Sequence, residues 1–238
     1  MSEKEIIRVS SEAEVIEKLA ELVEKYAGEA IASKSSFSIG LSGGSLIKYL
    51  ATGLPKIQTD WSKWKLFFCD ERYVPVDSPD STYGLYEKTL IPNTPLTAEH
   101  FLQIDLKLPL EECARDYERK IRDYFQEPTI TPSFDLLLLG MGPDGHTCSL
   151  FPEHKLLGET SCLIAPIFDS PKPPPERVTM TLPLLNASKC CIFAMAGASK
   201  AEMVRRILND AEDLPARRVQ PQNGKLIWIT DEGVGSQL

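Results

Sequence analysis

The chain has 238 residues, of which 42% are hydrophobic and 25% are charged, and its formal net charge is −8 at pH 7. These ordinary globular values exclude a chain that is disordered, collagen-like or a coiled coil throughout. No apolar run approaches the roughly 20 residues that a spanning helix needs, and nothing resembles a basic arm or stripe, so we expect neither a membrane nor a nucleic-acid partner.

The first half of the chain alternates short apolar runs with amphipathic segments. Ser11 and Glu14 have the spacing of a capping box, and the apolar residues after them keep helical spacing. Further strands are predicted at residues 6–9, 37–41, 66–69 and 101–104, and further helices at residues 45–51 and 110–125.

The second half contains the clearest strand, residues 134–139, which is continuously apolar after its second residue and is typical of a buried parallel strand. Strands are also predicted at residues 163–167, 177–182, 190–196 and 225–230, and a helix with a Ser199–Glu202 capping box at 199–209. Strands alternating with helices predict an α/β fold with a doubly wound, mainly parallel sheet and helices on both faces. No repeat or linker divides the chain, so residues 1–238 are predicted to form one domain.

Polar clusters follow four of the predicted strands, and ligands bind at the carboxyl ends of strands in open α/β sheets. The first cluster is residues 42–45, Ser-Gly-Gly-Ser, which we call the glycine loop. Its glycines let the backbone approach a ligand, and the helix that follows offers free N–H groups to a phosphate. The same residues also fit a tight turn capped by Ser45, and the motif alone leaves both interpretations open.

The second cluster, residues 140–146, matches a dinucleotide-binding GxGxxG pattern only weakly. Pro143 removes a backbone donor, and Pro152 comes too soon for a full helix after the loop. His146, which follows Asp144 by two residues, better suits a general base because histidine titrates near neutral pH. A turn whose histidine only bonds to the backbone is the alternative.

The remaining clusters each offer a cation. Arg72 ends residues 69–72, Cys-Asp-Glu-Arg, and provides a donor fork for an oxyanion, although an exposed ion-paired turn also fits. Lys200 lies at a helix start in residues 197–200, where it opposes the helix dipole unless an anion binds there; a lysine directed into solvent is the alternative. Arg177, just after a run of prolines, is a second candidate cation.

Other chemistry is disfavoured by the spacing of the residues. His146, His154 and Cys148 lack the ligand count and spacing of a zinc site, so no metal is expected. Serine hydrolase and P-loop motifs are missing. The six cysteines show no CxxC spacing and are expected to be buried reduced thiols. The polar start of the chain predicts a cytoplasmic protein. The helix faces show no obvious interface stripe, so the sequence does not determine the oligomeric state, and a monomer or weak homodimer is expected.

Taken together, the motifs closely resemble those of the 6-phosphogluconolactonase family, in order along nearly the whole chain. They occur at residues 41–45, 69–72, 80–84, 142–152, 173–179 and 197–200. The family is similar to the glucosamine-6-phosphate deaminases and shares their Rossmann-like α/β fold. The resemblance implies hydrolysis of 6-phosphoglucono-δ-lactone to 6-phosphogluconate in the oxidative pentose phosphate pathway, without a cofactor and in the cytosol.

The same resemblance implies roles for particular residues. His146 is expected to activate water and then to return the proton to the departing ring oxygen. Arg72 and backbone N–H groups are expected to stabilise the oxyanion, and Asp144 and Asp70 to be carboxylates of the site. The expected substrate and phosphate contacts are Ser42, Gly43, Gly44, Ser45, Gly145, Arg177 and Lys200.

Three alternatives stay open at this point. The first is an amino-sugar-phosphate deaminase or isomerase of the same fold, but the deaminases have a proton-transferring Glu five positions after the motif histidine, where this chain has Phe151. The second is a sugar-phosphate-binding protein without catalysis, which would not need His146 beside Asp144. The third is a nicotinamide-dependent dehydrogenase.

Overall fold

The computed structural model describes residues 3–238, which form nine strands and seven α-helices besides short 3₁₀ turns. The strands are β1 (Glu3–Arg8), β2 (Phe37–Leu41), β3 (Trp64–Phe68), β4 (Asp70–Arg72), β5 (Leu136–Leu139), β6 (Ile164–Ile167), β7 (Arg177–Met180), β8 (Cys190–Met195) and β9 (Lys225–Thr230). The helices are α1 (Glu12–Lys34), α2 (Ser45–Gly53), α3 (Thr82–Thr89), α4 (Leu110–Phe125), α5 (Leu182–Asn186), α6 (Ala201–Leu208) and α7 (Glu232–Gly235).

Six of these strands form a parallel sheet in the order β1-β9-β8-β5-β2-β3. Alternate residues of each central strand are buried on opposite faces: Leu136 and Leu138 of β5 pack on the side of α1 and α2, and Leu137 and Leu139 on the side of α4 and α6. Such strands must be apolar along their whole length, since helices cover both faces. The predicted α/β fold with a doubly wound, mainly parallel sheet is confirmed.

The order of the strands opens a crevice between β2 and β5. The strands β2 and β5 are neighbours in the sheet. After β2 the chain continues to β3 on one side of this pair, and after β5 its next strand in the same sheet is β8, on the other side. Ligands bind at such a switch point, beyond the carboxyl ends of the strands. The segments that follow β2 and β5 are the glycine loop and residues 140–146, two of the predicted clusters.

A second sheet, which the sequence did not predict, stands beyond this edge. It is antiparallel, with the order β4-β7-β6, and it packs mainly against α4. The chain enters β4 directly from β3, after Cys69 donates its N–H to Leu41 O at 2.8 Å. The cluster Asp70–Arg72 is therefore a strand with Asp70 and Glu71 buried, and the alternative of an exposed ion-paired turn is wrong.

Two local predictions are also wrong. Residues 101–104 do not form a strand, because only Phe101 makes a bridge, to Leu66 at the outer edge of β3, before the chain turns away. The Ser199–Glu202 capping box does not form, since a 3₁₀ turn occupies residues 198–200 and α6 begins at Ala201 without a side-chain cap. The Ser11 cap of α1 is confirmed, since its side chain accepts from Glu14 N–H at 3.3 Å.

Candidate active site

A cavity of about 230 Å³ lies at the crevice between β2 and β5. It is lined by Ser42, Gly43, Gly44, Ser45, Asp70, Arg72, Gly140, Met141, Gly142, His146, Cys148, Arg177, Ala194, Met195 and Lys200. Nine of the eleven predicted site residues are in this lining. Asp144 lies behind His146, and Gly145 has a φ of 79° and packs toward Leu214 and Met203, so the structure places it outside the lining.

The glycine loop forms one wall of the cavity. Gly44 has a φ of 71° and occupies the N-cap position of α2, and the helix begins at Ser45 without a side-chain cap. In the alternative interpretation of the loop as a tight turn, the cap assigned to Ser45 is wrong, because Gly44 takes the N-cap position with a backbone that glycine adopts readily. The hydroxyl of Ser42 is buried without a hydrogen-bond partner among the described residues. Uncapped N–H groups and the positive end of the helix dipole make this wall suited to an anion.

His146 and Asp144 form a close pair at the floor of the site. Nδ1 of His146 lies 2.5 Å from Oδ1 of Asp144. The imidazole ring packs on the ring of Phe151, with 4.7 Å between the two ring centroids. A side chain at Gly142 would overlap the imidazole, so this position has to be glycine for the ring to lie here. The alternative in which His146 only bonds to the backbone is wrong.

The charges of this pair follow from their surroundings. Burial acts to raise the pKa of Asp144, but hydrogen bonds from His146 and Lys172 outweigh it and lower the pKa to about 2. Burial lowers the pKa of His146, Lys172 lowers it further, and Asp144 opposes both. An ionised carboxylate only accepts hydrogen bonds, so Nδ1 of the neutral ring carries the proton and Nε2 keeps its lone pair.

Strand β4 directs two charged side chains toward the cavity. Asp70 accepts a hydrogen bond from Ser149 Oγ at 2.8 Å, and Arg72 donates from Nη1 to the carbonyl of Asp80 at 2.8 Å. Nε of Arg72 is buried without a partner among residues 3–238. Glu71 faces the other way and accepts the N–H groups that begin α3. Arg72 thus reaches the site with spare donor capacity.

Arg177 and Lys200 contribute positive charge in different ways. Arg177 is buried and donates to three backbone carbonyls of residues 168–176, which we call the proline loop, as well as to Ser149 Oγ at 3.3 Å. Lys200 donates to Met141 O at 2.6 Å, and burial followed by the charge of Lys172 lowers its pKa. Lys200 is therefore the freer of the two cations, and the alternative of a lysine directed into solvent is wrong.

Sequence reasoning missed Lys172, which lies at the tip of the proline loop. Its Nζ is 3.0 Å from Asp144 Oδ1 and 3.1 Å from His146 Nδ1. The one signal available in the sequence was the run of prolines around it, which indicates a stiff loop but not the direction of a side chain. Ser149, which bridges Asp70 and Arg177, was missed for the same reason.

Other features of the described chain bear on its class. Residues 3–238 contain no group of three His, Cys, Asp or Glu side chains placed to hold a metal ion. None of the helices in this range is long and apolar enough to cross a membrane. All six cysteines are free, and all but Cys162 are buried.

The fold is that of a Rossmann-like α/β protein, and the cavity at its switch point is lined by three cationic side chains, Arg72, Arg177 and Lys200. Residues 10–228 match the sequence profile of the glucosamine-6-phosphate isomerases and 6-phosphogluconolactonases, and the chain belongs to this family.

Individual relatives narrow this similarity. The chain is 49% identical over 237 residues to the 6-phosphogluconolactonase of Homo sapiens, covering 96% of this chain and 92% of that protein. It is 44% identical to a probable 6-phosphogluconolactonase of Drosophila melanogaster, covering 100% and 98%. The crystal structure of a 6-phosphogluconolactonase from Thermotoga maritima superposes with a TM-score of 0.84 at 28% identity, covering 96% of this chain and all of that one. The resemblance inferred from the motifs is confirmed.

Proposed function

We propose that this chain hydrolyses 6-phospho-D-glucono-1,5-lactone to 6-phospho-D-gluconate, a step of the oxidative pentose phosphate pathway. Its similarity to 6-phosphogluconolactonases over nearly its whole length supports a lactone hydrolase. The structural observation that supports the chemistry is the His146–Asp144 pair at a cavity that the glycine loop also lines.

His146 acts as the general base in the proposed mechanism. Nε2 takes a proton from a water molecule as its oxygen attacks the lactone carbonyl carbon. The tetrahedral intermediate collapses by breaking the bond between that carbon and the ring oxygen, and the imidazolium returns the proton to this oxygen. Asp144 holds the ring in the required tautomer and stabilises the imidazolium. Collapse leaves an open-chain carboxylic acid, which loses its proton to solvent and gives the carboxylate.

Arg72 and backbone N–H groups that line the cavity beside His146 stabilise the oxyanion in this proposal, and the donors at the start of α2 are left for the phosphate. Arg72 lines the cavity, and fixed donors directed at an oxyanion are each worth about 2.7–4 kcal/mol in comparable sites. The phosphate binds at the N-terminal end of α2, with Lys200 as its cation. Arg177 adds positive charge to this region, although its own donors are occupied by the proline loop.

The amino-sugar-phosphate deaminase alternative is disfavoured by Phe151. This residue takes the place of the deaminase glutamate, and its ring lies between His146, at 4.7 Å, and the guanidinium of Arg177, at 5.6 Å. A phenyl ring cannot transfer a proton to a sugar ring oxygen.

A coupled assay with freshly made 6-phosphogluconolactone, corrected for spontaneous hydrolysis, tests the proposal. We expect turnover of the lactone, and no ammonia release from glucosamine 6-phosphate. His146→Ala should lose most of this turnover while the melting temperature stays nearly the same. Binding of 6-phosphogluconate without lactone turnover would instead favour a sugar-phosphate-binding protein, and full activity of His146→Ala would exclude this histidine as the base.

A further inference from the structure

We propose that Lys172 is a positioning residue of this site: its ammonium group holds the Asp144 carboxylate against Nδ1 of His146 and so presents Nε2 to water. This inference rests on the proposed hydrolysis. The three groups form a tight triangle, in which Lys172 and His146 both donate to the same oxygen of Asp144. A carboxylate oxygen that accepts from two donors has less freedom to turn away from the ring than one that accepts from the ring alone.

Hydrogen bonds within the proline loop, and from Arg177 to it, fix the backbone of Lys172. Nη2 of Arg177 donates to Lys172 O at 2.9 Å, and the hydroxyl of Ser170 donates to the same carbonyl at 2.8 Å. The N–H of Lys172 in turn donates to Ser170 Oγ at 3.2 Å. Nε2 of His154 lies 3.1 Å from Oδ1 of Asp169, and this contact holds the start of the loop. The backbone of Lys172 is thus fixed on both sides before its side chain reaches Asp144.

The charge of Lys172 also acts on the ring. The charged groups that surround His146 are Asp144 on its own loop, Lys172 on the proline loop and Asp70 on β4, with Lys200 further along the cavity. Of these, Lys172 is the cation nearest to Nδ1. A protonated imidazole would place its positive charge next to the ammonium group of Lys172. Lys172 therefore favours the neutral ring that a general base requires.

The test compares Lys172→Met, which removes the charge and shortens the unbranched side chain by one atom, with Lys172→Arg, which keeps the charge. Lys63→Met is the matched control, because Lys63 is exposed at the amino end of β3, the opposite edge from the site. Lys172→Gln is a second uncharged variant in case the methionine disturbs the loop. Melting temperatures establish that each variant is folded.

The first readout needs no activity. Nitrogen-15 NMR follows the titration of the His146 ring in the free protein, and His146→Gln identifies its signal among the three histidines. In Lys172→Met and Lys172→Gln we expect the midpoint to move to higher pH by about half a unit or more, because a neighbouring positive charge has been removed. Lys172→Arg and Lys63→Met should keep a midpoint near that of the parent protein. An unchanged midpoint in both uncharged variants would overturn the proposal.

The second readout is the division between kcat and KM for the lactone. A positioning role predicts that kcat near neutral pH falls about tenfold in Lys172→Met, that KM changes less than about twofold, and that Lys172→Arg recovers part of kcat. A rise in KM alone would make Lys172 a substrate contact and overturn the inference. If His146→Gln kept full lactonase activity, the proposed mechanism would fail by itself, whereas the NMR titration would still decide whether Lys172 controls the ring.

Discussion

His146 is the residue whose protonation state decides whether the site can act. Its ordinary pKa is 6.5, and burial lowers this pKa in the folded protein. Because the base must be neutral, the acid limb of kcat/KM should lie below pH 6.5, and activity should stay level from there toward pH 7.5. A pH–rate profile measures this limb, and it should coincide with the NMR midpoint of the free enzyme. A limb above pH 6.5 would contradict the assignment.

Lys200 gives a prediction about binding rather than turnover. Its ammonium group is half-buried and, in the proposed function, pairs with the phosphate, so Lys200→Met should raise KM for the lactone about ten- to a hundredfold, the equivalent of one charge-assisted hydrogen bond. The effect on kcat should be much smaller. Lys107→Met, at an exposed position, is the control. A loss confined to kcat would contradict the phosphate assignment.

Individual residues were predictable where the topology alone places them. The glycine loop, Arg72 and His146 each follow a strand of the larger sheet, so an α/β pattern suffices to bring them to one edge. Lys172 follows no such rule. Its position depends on hydrogen bonds from Arg177 to backbone carbonyls, and a sequence pattern does not report these. Burial and hydrogen bonds likewise excluded the exposed turn at residues 69–72 and the solvent-directed Lys200.

At the scale of the elements, Glu71 fastens β4 to the start of α3. Its carboxylate accepts the N–H groups of Thr82 and Tyr83, each at 2.7 Å, and that of Arg72 at 2.7 Å. Three backbone donors, of which those of Thr82 and Tyr83 are buried, therefore depend on one side chain. Because Arg72 and α3 share this anchor, the orientation of Arg72 toward the cavity depends on it as well.

Glu71→Ala should lower the free energy of unfolding by at least about 1–3 kcal/mol, since buried N–H groups lose their acceptor. It should also reduce kcat/KM, because Arg72 is no longer held. Urea unfolding and the lactone assay measure the two effects. Glu99→Ala removes an exposed carboxylate and should change neither. Unchanged stability of Glu71→Ala would show that water replaces the carboxylate at no cost.

The elements that were missed are those that tertiary contacts create. β4 consists of Asp-Glu-Arg, which has no strand signal, and becomes a strand because β7 pairs with it. α3 contains Gly84 and few apolar residues, and it begins where Ser81 and Glu71 accept its first N–H groups. By contrast, β2, α4 and β9 have the predicted bounds, because apolar periodicity determines them.

At the scale of the whole molecule, Asp135 joins elements at the amino edge of the sheet, away from the site. It is buried, accepts from the N–H and hydroxyl of Ser38 at 2.9 and 2.8 Å, and pairs with Lys34 and Lys189 at 2.8 and 2.9 Å. Burial acts to raise the pKa of Asp135, but Lys34, Ser38 and Lys189 outweigh it and keep the pKa below its usual 3.8.

Asp135→Asn should therefore lower the free energy of unfolding at pH 7 by about 1–3 kcal/mol and leave kcat/KM unchanged. A carboxyl whose pKa is lowered by folding stabilises above its unfolded pKa, and this contribution is lost as the pH falls through the folded value. The difference in the free energy of unfolding between the parent protein and Asp135→Asn should thus be smaller when urea unfolding is repeated at pH 3. A gap of the same size at both pH values would contradict this account.

The pairing of β1 with β9 has a consequence for synthesis. Glu3 lies opposite Lys225, more than 200 residues later in the chain. A ribosome releases the amino end of a chain first, so β1 emerges long before β9 and stays without its neighbour until residues 225–230 have been made. Four of its six residues are charged, and charge on an open strand discourages contact with other nascent chains. The charged composition of β1 thus suits a segment that stays unpaired until β9 has been synthesised.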